Sequence, residues 1–330
     1  MNARPADDRY PVLVGDIGGT NARFASIRAP GAPPEFIEVL HCADFPGPFE
    51  AIQHYLAVTG SPTPRRAGLA VATPVSGDQV RMTNSHWSFS RAALSAQLGL
   101  EELLVLNDFA ALALALPHLH DDELRQVGGG AAQRRRPLAV LGPGTGLGVS
   151  GLLPCDDGWV ALSGEGGHVS CSPVTPRESA IVEIVRRRYP HVSAERLICG
   201  DGLVNLYRAL AELGDVTALP LTPEEVSARG LNGECAICNE ALGVFCAMLG
   251  TVASNLVLTL GATGGVYIGG GIVPRLGDFF VDSAFRARFE DKGRFTDYLA
   301  AVPSFVITAA YPALHGVAGA LHATAAKPSA

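Results

Sequence analysis

Apolar and polar positions alternate between two periods along the first part of the chain. Residues 12–14 and 22–27 are apolar or small runs on either side of a glycine turn, which predicts the two strands of a hairpin. Residues 49–58 place apolar side chains at helical spacing, 68–72 and 103–106 read as strands, and 109–116 reads as a helix that Pro117 stops. Strand and helix signals in alternation predict an α/β domain.

The pattern then repeats. VLVGDIGGTNARFASI, from Val12, and LAVLGPGTGLGVSGLL, from Leu138, each run from an apolar strand through a turn containing Gly-Thr into a second strand of small and apolar residues. At 330 residues the chain exceeds the roughly 250 to 300 that one hydrophobic core supports. The expectation is two duplicated α/β domains flanking a cleft, each opening on a hairpin whose turn faces that cleft. The second continues through helices at 179–189, 203–213 and 234–260 to a buried strand at 265–268, which ends in Gly269-Gly270-Gly271. A helix at 314–324 has no domain of its own and is expected to return to the first, followed by a frayed tail at 325–330. The resulting division is a small domain, 1–118 completed by about 312–330, and a large domain, 119–311.

Composition narrows the classes. Apolar residues make up 48% of the chain and charged ones 17%, enough hydrophobe for large buried cores. The net charge of -7 offers no electrostatic basis for a nucleic-acid partner, and Arg134-Arg135-Arg136, after three glycines, reads as a solvated loop. MNARPADDRY lacks the apolar core of a signal peptide, so a cytoplasmic location is expected. The most apolar region, 244–273, is interrupted by Asn255, Thr259, Thr263 and several glycines; it reads as a buried helix and strand, with no membrane partner. The 7 cysteines are scattered, as suits reduced thiols. Cys235 and Cys238 are the only close pair, cannot complete a tetrahedral zinc site alone, and read as structural.

Three glycine clusters pose a question of phosphate chemistry. No lysine follows any of them at the spacing a Walker loop needs. Gly144-Thr145-Gly146-Leu147-Gly148, with Glu165 further on, comes near a dinucleotide fingerprint, but 149–153 continues as strand, so no helix N-terminus receives a pyrophosphate. What remains is a pair of hairpin turns, Gly15-Asp16-Ile17-Gly18-Gly19-Thr20 and Gly144-Thr145-Gly146, whose backbone N–H groups and threonines grip phosphate oxygens from two sides. Aligning the two turns sets Asp16 opposite Leu141. A carboxylate beside phosphates calls for a cation between them, which makes Asp16 a Mg²⁺ residue, acting through water because such ions keep much of their hydration; the alternative is an Asx-type turn residue. Gly269, Gly270 and Gly271 permit close approach of a flat group such as the adenine and ribose of ATP, or form a plain turn.

Two further stretches carry polar chemistry. Asn107-Asp108 sits where a strand ends and a helix begins, the carboxyl edge at which such folds bind ligands; Asp108 is either a catalytic base or, with Asn107, an N-cap. Ser163-Gly164-Glu165-Gly166-Gly167-His168 holds too many glycines for a helix, and its carboxylate and imidazole suit the paired hydroxyls of a sugar, or a loop histidine satisfied locally. Asn84, in Met82-Thr83-Asn84, is a pocket residue or a turn residue, and Glu195 reads locally as an acid in a first helical turn.

Taken in order, these motifs resemble the bacterial glucokinase family, within the hexokinase, actin and heat-shock ATPase superfamily. GDIGGTNARF is similar to its first phosphate motif, LNDFAALALALP to its sugar-binding and catalytic segment, and GPGTGLG to its second phosphate motif. SGEGGHVS and HVSAERLICGDGLVNLYRAL resemble its sugar loop and the following segment, and GGVYIGGGIVPR its adenosine motif. The resemblance implies an actin-like (ribonuclease H-like) fold and ATP- and Mg²⁺-dependent phosphorylation of glucose. It further implies Asp108 as base, Asn107, Glu165, His168 and Glu195 as sugar ligands, domain closure on the sugar, and a homodimer. The related sugar kinases and repressors carry a CxCGxxGC zinc cluster after a GH pair; here Gly167-His168 is followed by VSCSPVTPRE, which favours the glucokinase branch. The alternatives are a kinase for another hexose or amino sugar, and a sugar or nucleotide sensor without turnover, which the presence of Asp108 disfavours.

Overall fold

The computed structural model describes residues 9–156 and 158–325. The chain divides into two compact units, Met1–Leu119 with Ala309–Ala330, and His120–Thr308. Residues 1–8 and 326–330, which include most of the expected tail, lie outside the described residues.

The first unit opens on β1 (Val12–Ile17), β2 (Asn21–Ile27) and β3 (Glu35–His41), followed by α1 (Pro48–Thr59) and β4 (Arg66–Val71). A small ribbon of β5 (Gln79–Arg81) and β6 (Ser88–Ser90) leads to α2 (Arg91–Leu98), β7 (Glu102–Asn107) and α3 (Asp108–Ala115). The main sheet runs β3-β2-β1-β4-β7, with β1, β4 and β7 parallel and Ile17, Val71 and Asn107 side by side at their carboxyl ends. Both faces are covered, which explains the unbroken apolar run of β1. Leu13, Ile17, Phe24 and Leu69 pack with Ile52, Tyr55 and Trp87 on one face. Val12, Val14 and Ala70 pack with Ala111, Leu314, Val317 and Leu321 on the other.

The second unit contains β8 (Leu124–Gly128), β9 (Leu138–Pro143), β10 (Leu147–Cys155) and β11 (Gly158–Ser163), then α4 (Pro176–Arg186), α5 (Gly200–Leu213), α6 (Pro223–Leu231) and α7 (Ala236–Leu260). It ends with β12 (Gly265–Ile268), the short helices α8 (Val273–Leu276), α9 (Asp278–Asp282), α10 (Phe285–Glu290) and α11 (Thr296–Ala300), and β13 (Ser304–Ile307). Its sheet runs β11-β10-β9-β12-β13-β8, with β9, β12 and β13 parallel. The apolar helix α7 is long enough to cross a membrane, yet lies in this unit's core, with Leu242, Phe245, Leu249 and Val257 fully buried. Glu178, at the start of α4, is buried against Arg288 of α10 at 2.8 Å, and the same arginine reaches Thr251 of α7.

The chain then returns to the first unit as α12 (Pro312–Ala325). α12 crosses α3 so closely that a Cβ on Gly316 would stand 1.8 Å from the Ala111 carbonyl oxygen, so only glycine fits there.

Helix starts differ from expectation by a few residues because caps, which periodicity does not register, set them. Thr175 and Glu178 form a capping box that starts α4 at Pro176, ahead of residue 179. The Cys199 thiol accepts from Gly202 N–H and starts α5 at Gly200; the Cys235 thiol likewise caps α7. The Arg134–Arg136 segment is an exposed loop, as expected.

Candidate functional site

In the first unit, parallel pairing brings the chain after β1, β4 and β7 to one edge of the sheet. The turn after β1 is closed by Gly18 N–H donating to Asn21 O at 2.9 Å and tied to the end of β3 by Cys42 N–H donating to Thr20 O at 2.8 Å. Asn84 lies directly on this turn: a Cβ on Gly19 would stand 2.7 Å from the Asn84 carbonyl oxygen.

Asp16 is paired in register with Arg23 across the hairpin, and Arg23 Nη1 lies 3.2 Å from its Oδ2. The Asp16 side chain is 19% exposed. Burial raises its pKa above the usual carboxylate value, while the Arg23 charge and hydrogen bond act in the opposite direction. Arg23 Nε is buried with no partner among the described residues. A carboxylate so placed at a glycine turn has the hard-oxygen chemistry that a Mg²⁺ ion takes.

Asn107 and Asp108 share the strand-to-helix junction unequally. The Asn107 side chain accepts from Phe109 N–H at 3.0 Å and Ala110 N–H at 3.2 Å, so Asn107 is the cap of α3. Asp108 is the first helical residue, and its Oδ1 accepts from Asn107 Nδ2 and Phe109 N–H, both at 2.9 Å. Thr73, which the sequence reading passed over, fastens this junction to the ribbon: its carbonyl faces Asn107 Nδ2 at 3.4 Å and its hydroxyl donates to Arg81 O at 2.8 Å. Arg23 was also passed over, although its hairpin register opposite Asp16 was a usable signal.

In the second unit, the Gly144-Thr145-Gly146 turn joins β9 to β10, with Gly144 N–H donating to Gly146 O at 2.8 Å. The expectation that the turn amides are open therefore needs correction for Gly18 and Gly144, whose N–H groups close their own turns. Gly269, Gly270 and Gly271 follow β12 and lie beside this turn: Gly269 N–H donates to Leu141 O at 2.8 Å, and Ile272 N–H to Pro143 O at 3.3 Å. Gly270 has φ +76°, and a Cβ there would stand 2.4 Å from Pro143 O, so no side chain fits.

The 163–171 loop carries a short 3₁₀ turn at Gly166–His168 and is pinned along the 192–195 segment, with Glu195 N–H donating to Gly167 O and Ala194 N–H to Val169 O, both at 2.9 Å. This brings Glu195 Oε1 to 3.9 Å from His168 Nδ1. Glu165 and His168 are exposed, while Glu195 is 24% exposed. Glu195 stands in a turn ahead of α5, so the helical-turn alternative does not apply.

The cysteines carry none of this geometry, and no cluster of metal-ligating side chains occurs among the described residues. Burial pushes the thiols of Cys171 and Cys199 up to about 11, and those of Cys238 and Cys246 up to about 12. Their thiolate populations at pH 8 are roughly 10⁻³ or lower. Alkylation of the native protein at pH 8 is therefore expected to label exposed Cys155 and half-buried Cys235 ahead of these four, which are spared until unfolding. Mass mapping that found Cys199 or Cys246 labelled early would contradict this.

The fold is that of a sugar kinase. The solved structure of a glucokinase from an Antarctic psychrotroph matches with a TM-score of 0.87 and 39% identity, over 94% of this chain and 98% of that one. The sequence model of the glucokinase family matches residues 13–324. The glucokinases of Aromatoleum aromaticum and Chromobacterium violaceum are each 56% identical, over 315 and 314 residues, covering 95% of this chain and 95% and 90% of theirs. The chain belongs to the glucokinase family.

Proposed function

We propose that this protein transfers the γ-phosphoryl group of ATP to the 6-hydroxyl of D-glucose, giving glucose 6-phosphate and ADP. The observation that carries the reading is Asp108, a carboxylate fixed at the carboxyl edge of a parallel sheet by Asn107 and Phe109 N–H in a chain of this family. As the sugar oxygen bonds to the γ-phosphorus, its proton passes to the Asp108 carboxylate, and the bond from that phosphorus to the ADP oxygen breaks. Glu165, His168 and Glu195 hold the other hydroxyls, with Asn107 and Asn84 bordering the sugar. Gly15–Thr20 and Gly144–Gly146 hold the phosphates, and Gly269–Gly271 leave room for the adenosine. Mg²⁺ held near Asp16 supplies charge neutralisation of the phosphates when bound.

The reading extends to architecture. The two sheets share one plan, three antiparallel strands followed by two parallel ones, in β3-β2-β1-β4-β7 and again in β11-β10-β9-β12-β13. This supports duplicated actin-like domains, a small one of 1–118 with about 312–330 and a large one of 119–311. The working form is read as a cytoplasmic homodimer, which light scattering of the purified protein tests.

A coupled assay over glucose, mannose, fructose and glucosamine, with ATP, ADP and polyphosphate as donors, tests the activity. Glucose with ATP is expected to give the highest kcat/KM. Binding of glucose and ATP without ADP release would sink the reading in favour of a sensor. Asp16→Asn is expected to raise the Mg²⁺ concentration for half-maximal rate by roughly tenfold or more. An unchanged Mg²⁺ titration would remove Asp16 from that role.

A further inference from the structure

Glu195 engages two elements with its two carboxylate oxygens. Oε2 accepts from Leu147 N–H at 2.9 Å, and Oε1 faces His168. Leu147 is the residue immediately after the Gly144-Thr145-Gly146 turn. The approach is close: a Cβ on Gly146 would stand 2.6 Å from Oε2, so a larger residue there would push the carboxylate off the turn. A few residues on, Gly200 N–H donates to Gly144 O at 2.9 Å. The 195–200 segment therefore grips the turn at both ends, while Glu195 N–H holds the sugar loop at Gly167 O.

We infer that Glu195 is a positioning residue for the second phosphate turn, and that the 195–200 segment couples sugar affinity to nucleotide affinity. The inference rests on the function proposed above. A sugar hydroxyl donating to the Glu195 carboxylate fixes its orientation. The fixed carboxylate holds Leu147 N–H and stills the Gly144–Gly146 turn, so part of the ordering that nucleotide binding requires is already complete. By linkage, the nucleotide tightens sugar binding by the same factor.

Calorimetric titration of glucose, and of Mg²⁺ with β,γ-imido-ATP, each with and without the other at saturation, measures that factor. The parent protein is expected to show mutual tightening of roughly 5- to 150-fold. Gly200→Pro removes one anchor: its N–H is lost, and the ring Cδ that takes the hydrogen's place pushes Gly144 O away from the segment. Gly200 is the first residue of α5 and follows Cys199 at φ -158°, ψ -174°, a context in which proline is favoured and no helical hydrogen bond is lost. Its glucose Kd without nucleotide is expected to match the parent, with the coupling factor falling towards one. Glu195→Gln, which removes the charge that strengthens the Leu147 bond, is expected to weaken glucose binding and lower the coupling as well.

Parental coupling in both variants would overturn the inference. Should Gly200→Pro fail to fold, hydrogen exchange of the parent decides: glucose alone is expected to slow exchange at 144–147, and protection confined to the 163–171 and 192–196 segments would overturn it. No glucose binding by the parent defeats the proposed function and this inference with it. Glucose binding without coupling defeats the inference alone.

Discussion

Asp108→Asn is expected to lower kcat by roughly 10² to 10⁴ while leaving glucose affinity nearly unchanged. Asparagine keeps the size and planarity of the side chain, and its amide oxygen can still accept from Phe109 N–H and Asn107 Nδ2, as Oδ1 of Asp108 does. The cap of α3 belongs to Asn107, so the helix start does not depend on the charge at residue 108. What the substitution removes is the capacity to take up a proton. A steady-state assay for kcat beside calorimetry for glucose Kd separates the two effects. Ordinary turnover would end the assignment of Asp108 as base, and a lost sugar affinity with normal kcat would make it a binding residue.

The largest stability effect is expected at Arg288. Its Nη1 lies 2.8 Å from Glu178 Oε1, and the Glu178 side chain is 4% exposed. The other oxygen of Glu178 accepts from Val174 N–H at 2.7 Å and Thr175 N–H at 3.2 Å. Arg288→Met keeps an apolar stem of similar reach but leaves that carboxylate buried without its cation, which costs about 3 to 5 kcal/mol. For a unit of this size the loss corresponds to a fall in Tm of roughly 6 to 20 °C. Adding Glu178→Leu to the same chain is expected to restore part of the loss, and only part, since the α4 cap goes with it. Circular dichroism melts measure both, and a shift under about 2 °C for Arg288→Met would show that the pair contributes little.

Local chemistry made much of this fold legible. The two hairpin turns, the buried strand at Gly265–Ile268 and the helix through Leu260 are specified by residues adjacent in sequence, and all lie where periodicity predicts. Elements fixed by distant pairing were not legible. β3 is an edge strand with Phe36, Ile37 and Val39 exposed, so its side chains do not sort into inner and outer faces. The helices α8 to α11 span at most six residues each, too short for a helical period to register. α6 carries a local signal, the capping box of Thr222 and Glu225, but few apolar residues behind it.

The candidate site divides along the same line. Asp16, Asp108, Glu165 and His168 stand out as polar residues in glycine-rich or strand-end settings. Arg23 is readable only through the hairpin register that sets it opposite Asp16, and Thr73 and the Leu147 amide act through turn geometry, which one sequence does not display. Glu195 needed family resemblance to be singled out, because its contacts with Leu147 and Gly167 come from residues far from it along the chain.

The return of α12 to the first unit sets an order of events during synthesis. Leu314, Val317 and Leu321 cover the face of the first sheet that holds Val12 and Val14, so that face stays open until the ribosome has released residues made some three hundred positions later. The unit spanning His120–Thr308 is by then fully translated, and its sheet, from β8 to β13, draws on no residue outside it. In this protein the segment made first is completed last, and during that interval Val12 and Val14 of β1 lack the apolar cover that α12 gives them, a surface a chaperone would meet.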